Sequence, residues 1–106
     1  MGDDLSSVDE AGLLARARKG DTSAFGDLIT LHRQKIYMHI FYMVRNEEDA
    51  LDLTQDTFIR AWRSLARFDG GASLSSWLYR IASNAAIDLC RKRKKRPQTE
   101  IELGPM

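Results

Sequence analysis

The chain has 106 residues, of which 43% are hydrophobic and 29% are charged, a composition that fits one small globular domain and excludes a disordered chain. The formal net charge is +1. It is unevenly distributed, because residues 1–57 carry eleven acidic and six basic side chains whereas residues 58–106 carry four acidic and ten basic ones. This division predicts two different partners, one of them polyanionic; solvated helix faces of opposite sign are the alternative.

Cys90 is the single cysteine, which excludes an internal disulfide and a cysteine metal cluster. No apolar run approaches the roughly 20 residues that a membrane helix needs. The acidic N-terminal segment MGDDLSSVDE does not fit a signal peptide. We therefore expect no membrane insertion and a cytoplasmic location.

The first two predicted helices lie before residue 45. Residues 7–10 (SVDE) match a capping box, and the short helix that follows should end at Gly20. Asp21 can cap a second helix over residues 22–44. Its segment IYMHIFYMV, residues 36–44, is apolar nearly all round, which predicts the central helix of a bundle.

The third predicted helix has an acidic start and a regular apolar face. Asn46 can cap it, and the acidic residues 47–49 then lie where the helix dipole favours negative charge. The apolar face recurs at three- and four-residue spacing and comprises Ala50, Leu53, Thr57, Phe58, Ala61, Trp62 and Leu65. Largely off that face lie Asp52, Gln55, Asp56, Ile59, Arg60 and Arg63.

A loop and a fourth helix complete the domain. Residues 68–73 (FDGGAS) favour a loop, because each of the two glycines costs about 1 kcal/mol relative to Ala inside a helix. Ser73 can cap the fourth helix, whose apolar stripe is Leu74, Leu78, Ile81, Ala85 and Leu89. The sequence therefore predicts an all-α fold, a compact bundle of four helices with a short first helix, over residues 1–96. Residues 97–106 are predicted to be a linker or a disordered C-terminal end.

The residues offer no complete catalytic constellation. His32 and His39 have apolar neighbours, and we expect both to be satisfied, partly buried histidines rather than ligands. Asp52 and Asp56, one turn apart, could hold a divalent ion, but no further ligand is evident near them. We expect no enzymatic activity, no metal and no cofactor; a histidine phosphotransfer bundle is the enzymatic alternative.

The fourth helix carries a pattern typical of nucleic-acid binding. Six cations in succession, residues 91–96, can engage phosphates. They extend a helix edge whose Asn and Arg side chains can hydrogen-bond base edges, formed by Arg80, Asn84, Asp88 and Arg91. Trp77 and Tyr79 add aromatic surface on which an unstacked base could rest, although we favour core packing for Trp77.

In order and spacing, these motifs resemble region 2 of the bacterial extracytoplasmic-function sigma factors. The resemblance rests on DLTQDTFIRAWRSLARF, then G-x-S-x-x-x-WLYRIASNAAID, then RKRKKR, and it covers about residues 8–96. It implies a helical promoter-recognition domain that works as part of RNA polymerase holoenzyme. The implied partners are core RNA polymerase, the non-template single strand of the promoter minus-ten element, and an anti-sigma factor.

The resemblance also implies roles for individual residues. Three side chains of the third helix would dock on the clamp helices of the polymerase β′ subunit: Asp52, Gln55 and Asp56. The loop before the fourth helix would capture a base flipped out of the minus-ten element, with Phe68, Asp69, Gly70, Gly71, Ala72 and Ser73. The fourth helix would contact the upstream part of the element through Asn84 and Asp88, and phosphates through Arg80 and the basic run, which includes Arg91, Arg93 and Lys94. Tyr79 joins this set as an aromatic surface for DNA.

Two departures from the family pattern matter. Members commonly carry an aromatic residue where Leu74 stands, and the glycines of the loop leave the identity of the captured base open. The family usually has a second helical domain, whereas ten residues follow Arg96 here, so we expect the sequence to be part of a longer protein. A one-domain member is the alternative. A helical protein-interaction domain that binds an anti-sigma factor without a DNA role is the alternative function.

Overall fold

The protein, described by a computed structural model over residues 9–95, consists of four α-helices. They are α1 (Glu10–Arg18), α2 (Thr22–Val44), α3 (Glu47–Ser64) and α4 (Leu74–Lys95), and a 3₁₀ turn (Leu65–Arg67) extends α3. The prediction of an all-α bundle with a short first helix is confirmed. The predicted C-terminal linker, residues 97–106, lies outside the described residues.

Side-chain caps fix the starts of the three longer helices. In each case the cap's side-chain oxygen accepts from the backbone N–H of the third residue after it. Asp21 Oδ1 accepts from Ala24 at 3.1 Å, Asn46 Oδ1 from Asp49 at 2.9 Å and Ser73 Oγ from Ser76 at 3.0 Å. Each bond satisfies a donor that would otherwise lack a partner in the first helical turn. All three predicted caps are confirmed.

Helix α1 begins two residues later than the capping-box prediction requires. Asp9 is the N-cap, and its Oδ1 accepts from the Gly12 N–H at 3.0 Å. The prediction that Ser7 caps this helix is therefore wrong, because Asp9 lies closer to the apolar residues that pack and is an equally good cap. The helix ends as predicted before Gly20, whose φ of 102° is accessible mainly to glycine.

Helix α2 is central, because it packs against each of the other three helices. Ile36 and Ile40 are almost fully buried in its middle, as the apolar segment 36–44 predicts. One edge of that segment is nevertheless open, since 40% of Met38 and 64% of Tyr42 are exposed. After Arg45, in the left-handed region at φ 57°, the chain turns directly into α3.

The core contains an unusual share of small side chains. Its larger members include Leu13, Leu28, Ile36, Ile40, Phe58, Leu65, Phe68 and Leu78. Five alanines are fully enclosed, and they lie on three of the helices: Ala24, Ala50, Ala61, Ala82 and Ala86. Small side chains let helix axes approach closely. The helices therefore form one packed body with α3 and α4 side by side. Within residues 9–95, no helix is long and apolar enough to cross a bilayer.

Candidate functional site

The loop between the 3₁₀ turn and α4 is anchored at both ends. Phe68 is 95% buried; its ring packs on Trp77 at a centroid distance of 4.9 Å, and its N–H donates to the Leu65 carbonyl oxygen at 3.0 Å. At the other end, the Ser73 carbonyl oxygen accepts from the Trp77 N–H at 3.0 Å. Phe68 thus holds the loop to the core, and its ring is not available to stack on a ligand.

Between these anchors the loop presents mainly backbone to solvent. Asp69 Oδ1 accepts from the Gly71 N–H at 2.8 Å, which closes a tight turn, and Gly70 has a φ of 82°. All five residues from 69 to 73 are exposed. Apart from Gly70 and the two residues next to it, no atom lies within 4 Å of the place that a Cβ on Gly70 would occupy, so a flat ligand can approach the backbone there.

Helix α4 places the predicted polar edge on the surface. Arg80, Asn84, Asp88 and Arg91 are all exposed, and their spacing gives one continuous line along the helix. The opposite side of α4 is buried through Leu78, Ala82 and Ala86. Helix periodicity and burial therefore separate a core face from a face that carries one amide, one carboxylate and two guanidinium groups.

The two aromatic residues of α4 pack against the protein body. Trp77 is half-buried under Phe68, in agreement with its predicted core role. Tyr79 is also half-buried, and its ring meets His39 of α2 edge-on at a centroid distance of 5.0 Å. Tyr79 keeps an accessible side in a shallow groove that is also lined by Lys35 and Met38.

The basic end of α4 divides into two sets. Arg91, Lys92, Arg93 and Lys94 are all exposed. Arg93 differs from the other three because it donates from Nη2 to Asp49 Oδ2, in the first turn of α3. The predicted row of equivalent cations is therefore split, because one of them is tied to the neighbouring helix.

The acidic side chains of α3 form a separate surface. Asp52 and Gln55 are exposed, and Asp56 is half-buried with its Oδ2 2.9 Å from Arg60 Nε, one turn later. An ion pair at this spacing on an exposed helix is weak. A basic partner can therefore replace Arg60 at Asp56 with little loss of stability.

Beside this acidic surface runs an apolar groove between α2 and α3, with a volume of about 1020 Å³. Leu51, Ile59 and Trp62 line it with 58%, 48% and 36% of their surface exposed. Sequence reasoning missed this groove: it assigned Trp62 to the buried face and gave Ile59 no role. The available sequence clue was the presence of Leu51 and Ile59 off the main apolar stripe.

Both histidines are half-buried and have hydrogen-bond partners, as predicted. His32 Nε2 lies 2.7 Å from Glu10 Oε2, which joins α1 to α2, and His39 Nε2 lies 2.7 Å from Ser83 Oγ of α4. Each imidazole is thus held by a side chain of a neighbouring helix. In the described part of the chain, no group of three or more His, Cys, Asp or Glu side chains is placed to hold a metal ion.

Comparison with known proteins decides the family. Residues 28–96 match the family model described as sigma-70 region 2. The chain belongs to the sigma-70 region 2 family. The chain is similar in sequence to the extracytoplasmic-function sigma factor SigW of Bacillus subtilis, with 41% identity over 81 residues. That match covers 76% of this chain and 43% of SigW, so this sigma region 2 chain spans less than half the length of the relative.

Two solved structures share the fold of this region 2 domain. An engineered region 2 of sigmaE, determined by NMR in complex with GTAAAA, superposes with a TM-score of 0.78 at 33% identity. The match covers 85% of this chain and 94% of that one. CnrH in complex with the cytosolic domain of CnrY superposes with a TM-score of 0.69 at 34% identity, covering 88% of this chain and 58% of CnrH.

Proposed function

We propose that this domain acts in transcription initiation, where it binds core RNA polymerase through α3 and recognises and opens the promoter minus-ten element through α4 and the preceding loop. The observation that carries the proposal is the presence of two exposed faces of opposite character on adjacent helices of a sigma region 2 fold. No catalytic role is assigned. A bacterial cytoplasmic location follows, because polymerase and DNA are there.

The α4 edge is suited to DNA at the upstream end of the minus-ten element. The Asn84 amide can donate and accept at a base edge, which a cation cannot do. Arg80 and Arg91 lie on the same exposed line and can hold the phosphates on either side. The related sigmaE domain, which was solved with GTAAAA, has the same fold.

The loop is suited to a base that has left the duplex. Extruding a base costs a few kcal/mol in lost stacking and pairing, and a protein offsets this cost by enclosing the base. The exposed backbone of residues 69–73, held in place by the buried Phe68, can supply hydrogen-bond groups close to a base. Tyr79, in its shallow groove beside Lys35, offers a ring near the path of the displaced strand.

The α3 surface is suited to a basic, partly apolar protein partner. Asp52, Gln55 and Asp56 supply the charge and hydrogen-bond acceptors, and the groove with Leu51 and Ile59 supplies apolar area beside them. Such a mixture of an apolar centre and a charged rim is the usual anatomy of a protein interface. We assign it to the clamp helices of the polymerase β′ subunit.

An anti-sigma factor is a further proposed partner. CnrH, which shares the fold, was solved in complex with the cytosolic domain of CnrY. A regulator that covered the α3 surface would compete directly with polymerase.

The DNA assignment is tested with Asn84→Ala in holoenzyme reconstituted with the protein that contains this domain. We expect a loss of about 1–3 kcal/mol in binding to the preferred promoter and a much smaller loss on scrambled DNA. The double variant Gly70→Val with Gly71→Val should bind the promoter as tightly as the parent but open its strands less well. Strand opening is measured by the permanganate reactivity of unpaired thymines. Equal losses on both DNAs would assign Asn84 to phosphate contact or to structure.

The polymerase assignment is tested with Asp56→Arg. Charge reversal replaces attraction toward a basic partner with repulsion, so affinity for core polymerase should fall while the helical circular dichroism spectrum stays unchanged. Asp27→Arg is the matched control, since Asp27 is an exposed carboxylate on α2 beside α1 and produces the same change in net charge. Equal affinities of the two variants for core polymerase would contradict the assignment.

A further inference from the structure

The pairing of Arg93 with Asp49 gives one residue of the basic run a role different from that of its neighbours. Of the ion pairs among residues 9–94, two join different helices: His32 with Glu10, 22 residues earlier, and Arg93 with Asp49, 44 residues earlier. Only 20% of the Asp49 side chain is exposed, compared with 46% for Arg93. The carboxylate is thus a largely enclosed anchor, and the guanidinium reaches back to it.

Helix geometry places Arg93 on the core side of α4. At 3.6 residues per turn, Arg93 lies about 20° around the axis from the fully buried Ala86, two turns earlier. It lies about 160° around the axis from Arg91, whereas Lys94 lies about 60° from Arg91. Arg91 shares its edge with Asn84. A straight helix therefore cannot present Arg93 and Arg91 to the same DNA strand.

The electrostatics of the two helix ends favour this pairing. Asp49 lies in the first turn of α3, where the partial positive charge of the helix dipole stabilises a carboxylate. Arg93 lies near the C-terminal end of α4, where the partial negative charge stabilises a cation. The ion pair thus ties the exposed end of α4 to a fixed point on α3.

We propose that Arg93 is a positioning residue rather than a phosphate ligand. Anchored by Asp49, it sets the direction of the last two turns of α4, so that Arg91 and Lys94 face DNA. This inference rests on the proposed DNA-binding function. It also links the two faces of the domain, because the anchor belongs to the helix assigned to polymerase.

The two possible roles of Arg93 predict opposite effects of removing the anchor charge. If Arg93 positions the helix end, Asp49→Asn and Arg93→Gln both weaken DNA binding, and the double variant is no weaker than the worse single variant. If Arg93 contacts phosphate, Asp49→Asn frees a cation and strengthens binding, whereas Arg93→Gln weakens it. Arg91→Gln is the matched control, since it removes the same charge two residues away.

The experiment measures binding of a fluorescent single-stranded minus-ten oligonucleotide to the 106-residue chain over a series of salt concentrations. For Arg91→Gln we expect the slope of log K against log salt to flatten by about 0.7, the value for one phosphate contact on a single strand. For Arg93→Gln and Asp49→Asn we expect affinity to fall by about two- to fivefold with the slope unchanged, and the urea midpoint to fall equally in both.

Two results would overturn the inference. One is a flattening of the slope by Arg93→Gln as large as that by Arg91→Gln; the other is tighter binding by Asp49→Asn. The charge swap Asp49→Arg with Arg93→Asp keeps the net charge of the parent. Tighter DNA binding by this double variant than by either single reversal would support the inference. Binding by the parent chain that does not depend on salt would instead refute the proposed DNA function, and the positioning role with it. In that case, the interaction between Asp49 and Arg93 could still be measured from the urea unfolding of the two single variants and the double variant.

Discussion

Replacing Phe68 distinguishes a core role from a DNA role for the first residue of the loop. Its ring is 95% buried and packs on Trp77 at 4.9 Å, so Phe68→Ala should cost about 3–5 kcal/mol. A domain of this kind has a total stability of about 5–15 kcal/mol, which makes this a large fraction. With a urea m-value of about 1.5 kcal/mol/M, a loss of about 3 kcal/mol lowers the unfolding midpoint by about 2 M.

Phe68→Leu is the matched control, because it keeps apolar bulk and should cost only about 1 kcal/mol. Urea unfolding followed by circular dichroism gives the stabilities, and binding of a minus-ten oligonucleotide gives the DNA response. We expect Phe68→Leu to bind DNA nearly as well as the parent. If it loses DNA binding at unchanged stability, the ring acts at the DNA. An unchanged urea midpoint for Phe68→Ala would refute the packing argument itself.

Three further predictions concern local contacts. The Ala24 N–H and the Arg16 guanidinium hold the pKa of the Asp21 carboxyl below its ordinary value, so the capping contribution is complete above about pH 4 and is lost as the pH falls through the lowered folded pKa. Between neutral and acid pH, the urea unfolding midpoint of Asp21→Asn should therefore fall less than that of the parent. Parallel curves of midpoint against pH for the two proteins would contradict this. Gly70→Ala should cost about 1–2 kcal/mol of stability in thermal unfolding, because φ is 82° at this position and the added methyl group strains the backbone without meeting a non-neighbouring atom. An unchanged stability would show that the loop can shift to relieve this strain. Ser83→Ala should cost about 1 kcal/mol by removing the partner of His39, whereas Ser83→Thr should cost less if the hydroxyl is what matters.

Local chemistry was enough to predict where most helices begin. Asp21, Asn46 and Ser73 each stand directly before an apolar repeat, and each caps its helix as predicted. The start of α1 was predicted wrongly, because Ser7 and Asp9 are both good caps and the sequence alone does not rank them. The apolar stripes of α3 and α4 follow from helical periodicity, which depends on spacing alone.

Tertiary contacts could not be predicted in the same way. The burial of Phe68 depends on Trp77, which follows only after the loop has turned. The pairing of Arg93 with Asp49 joins residues 44 positions apart and leaves no local pattern. The exposed state of Ile59 and Trp62 depends on how α2 and α3 pack against each other, because both residues line the groove between these helices. Family resemblance proposed residues for the site, but only the fold shows which side chains are free to act.

The enclosed alanines have a mechanical consequence. Ala50 and Ala61 of α3 and Ala82 and Ala86 of α4 are fully buried, and an alanine side chain has no alternative rotamers that could absorb a shift between the helices. Close-packed interiors transmit strain rather than absorb it. The domain therefore behaves as a rigid unit that connects the exposed surface of α3 to the exposed surface of α4. A displacement of one of these helices should therefore be passed on to the other rather than absorbed between them.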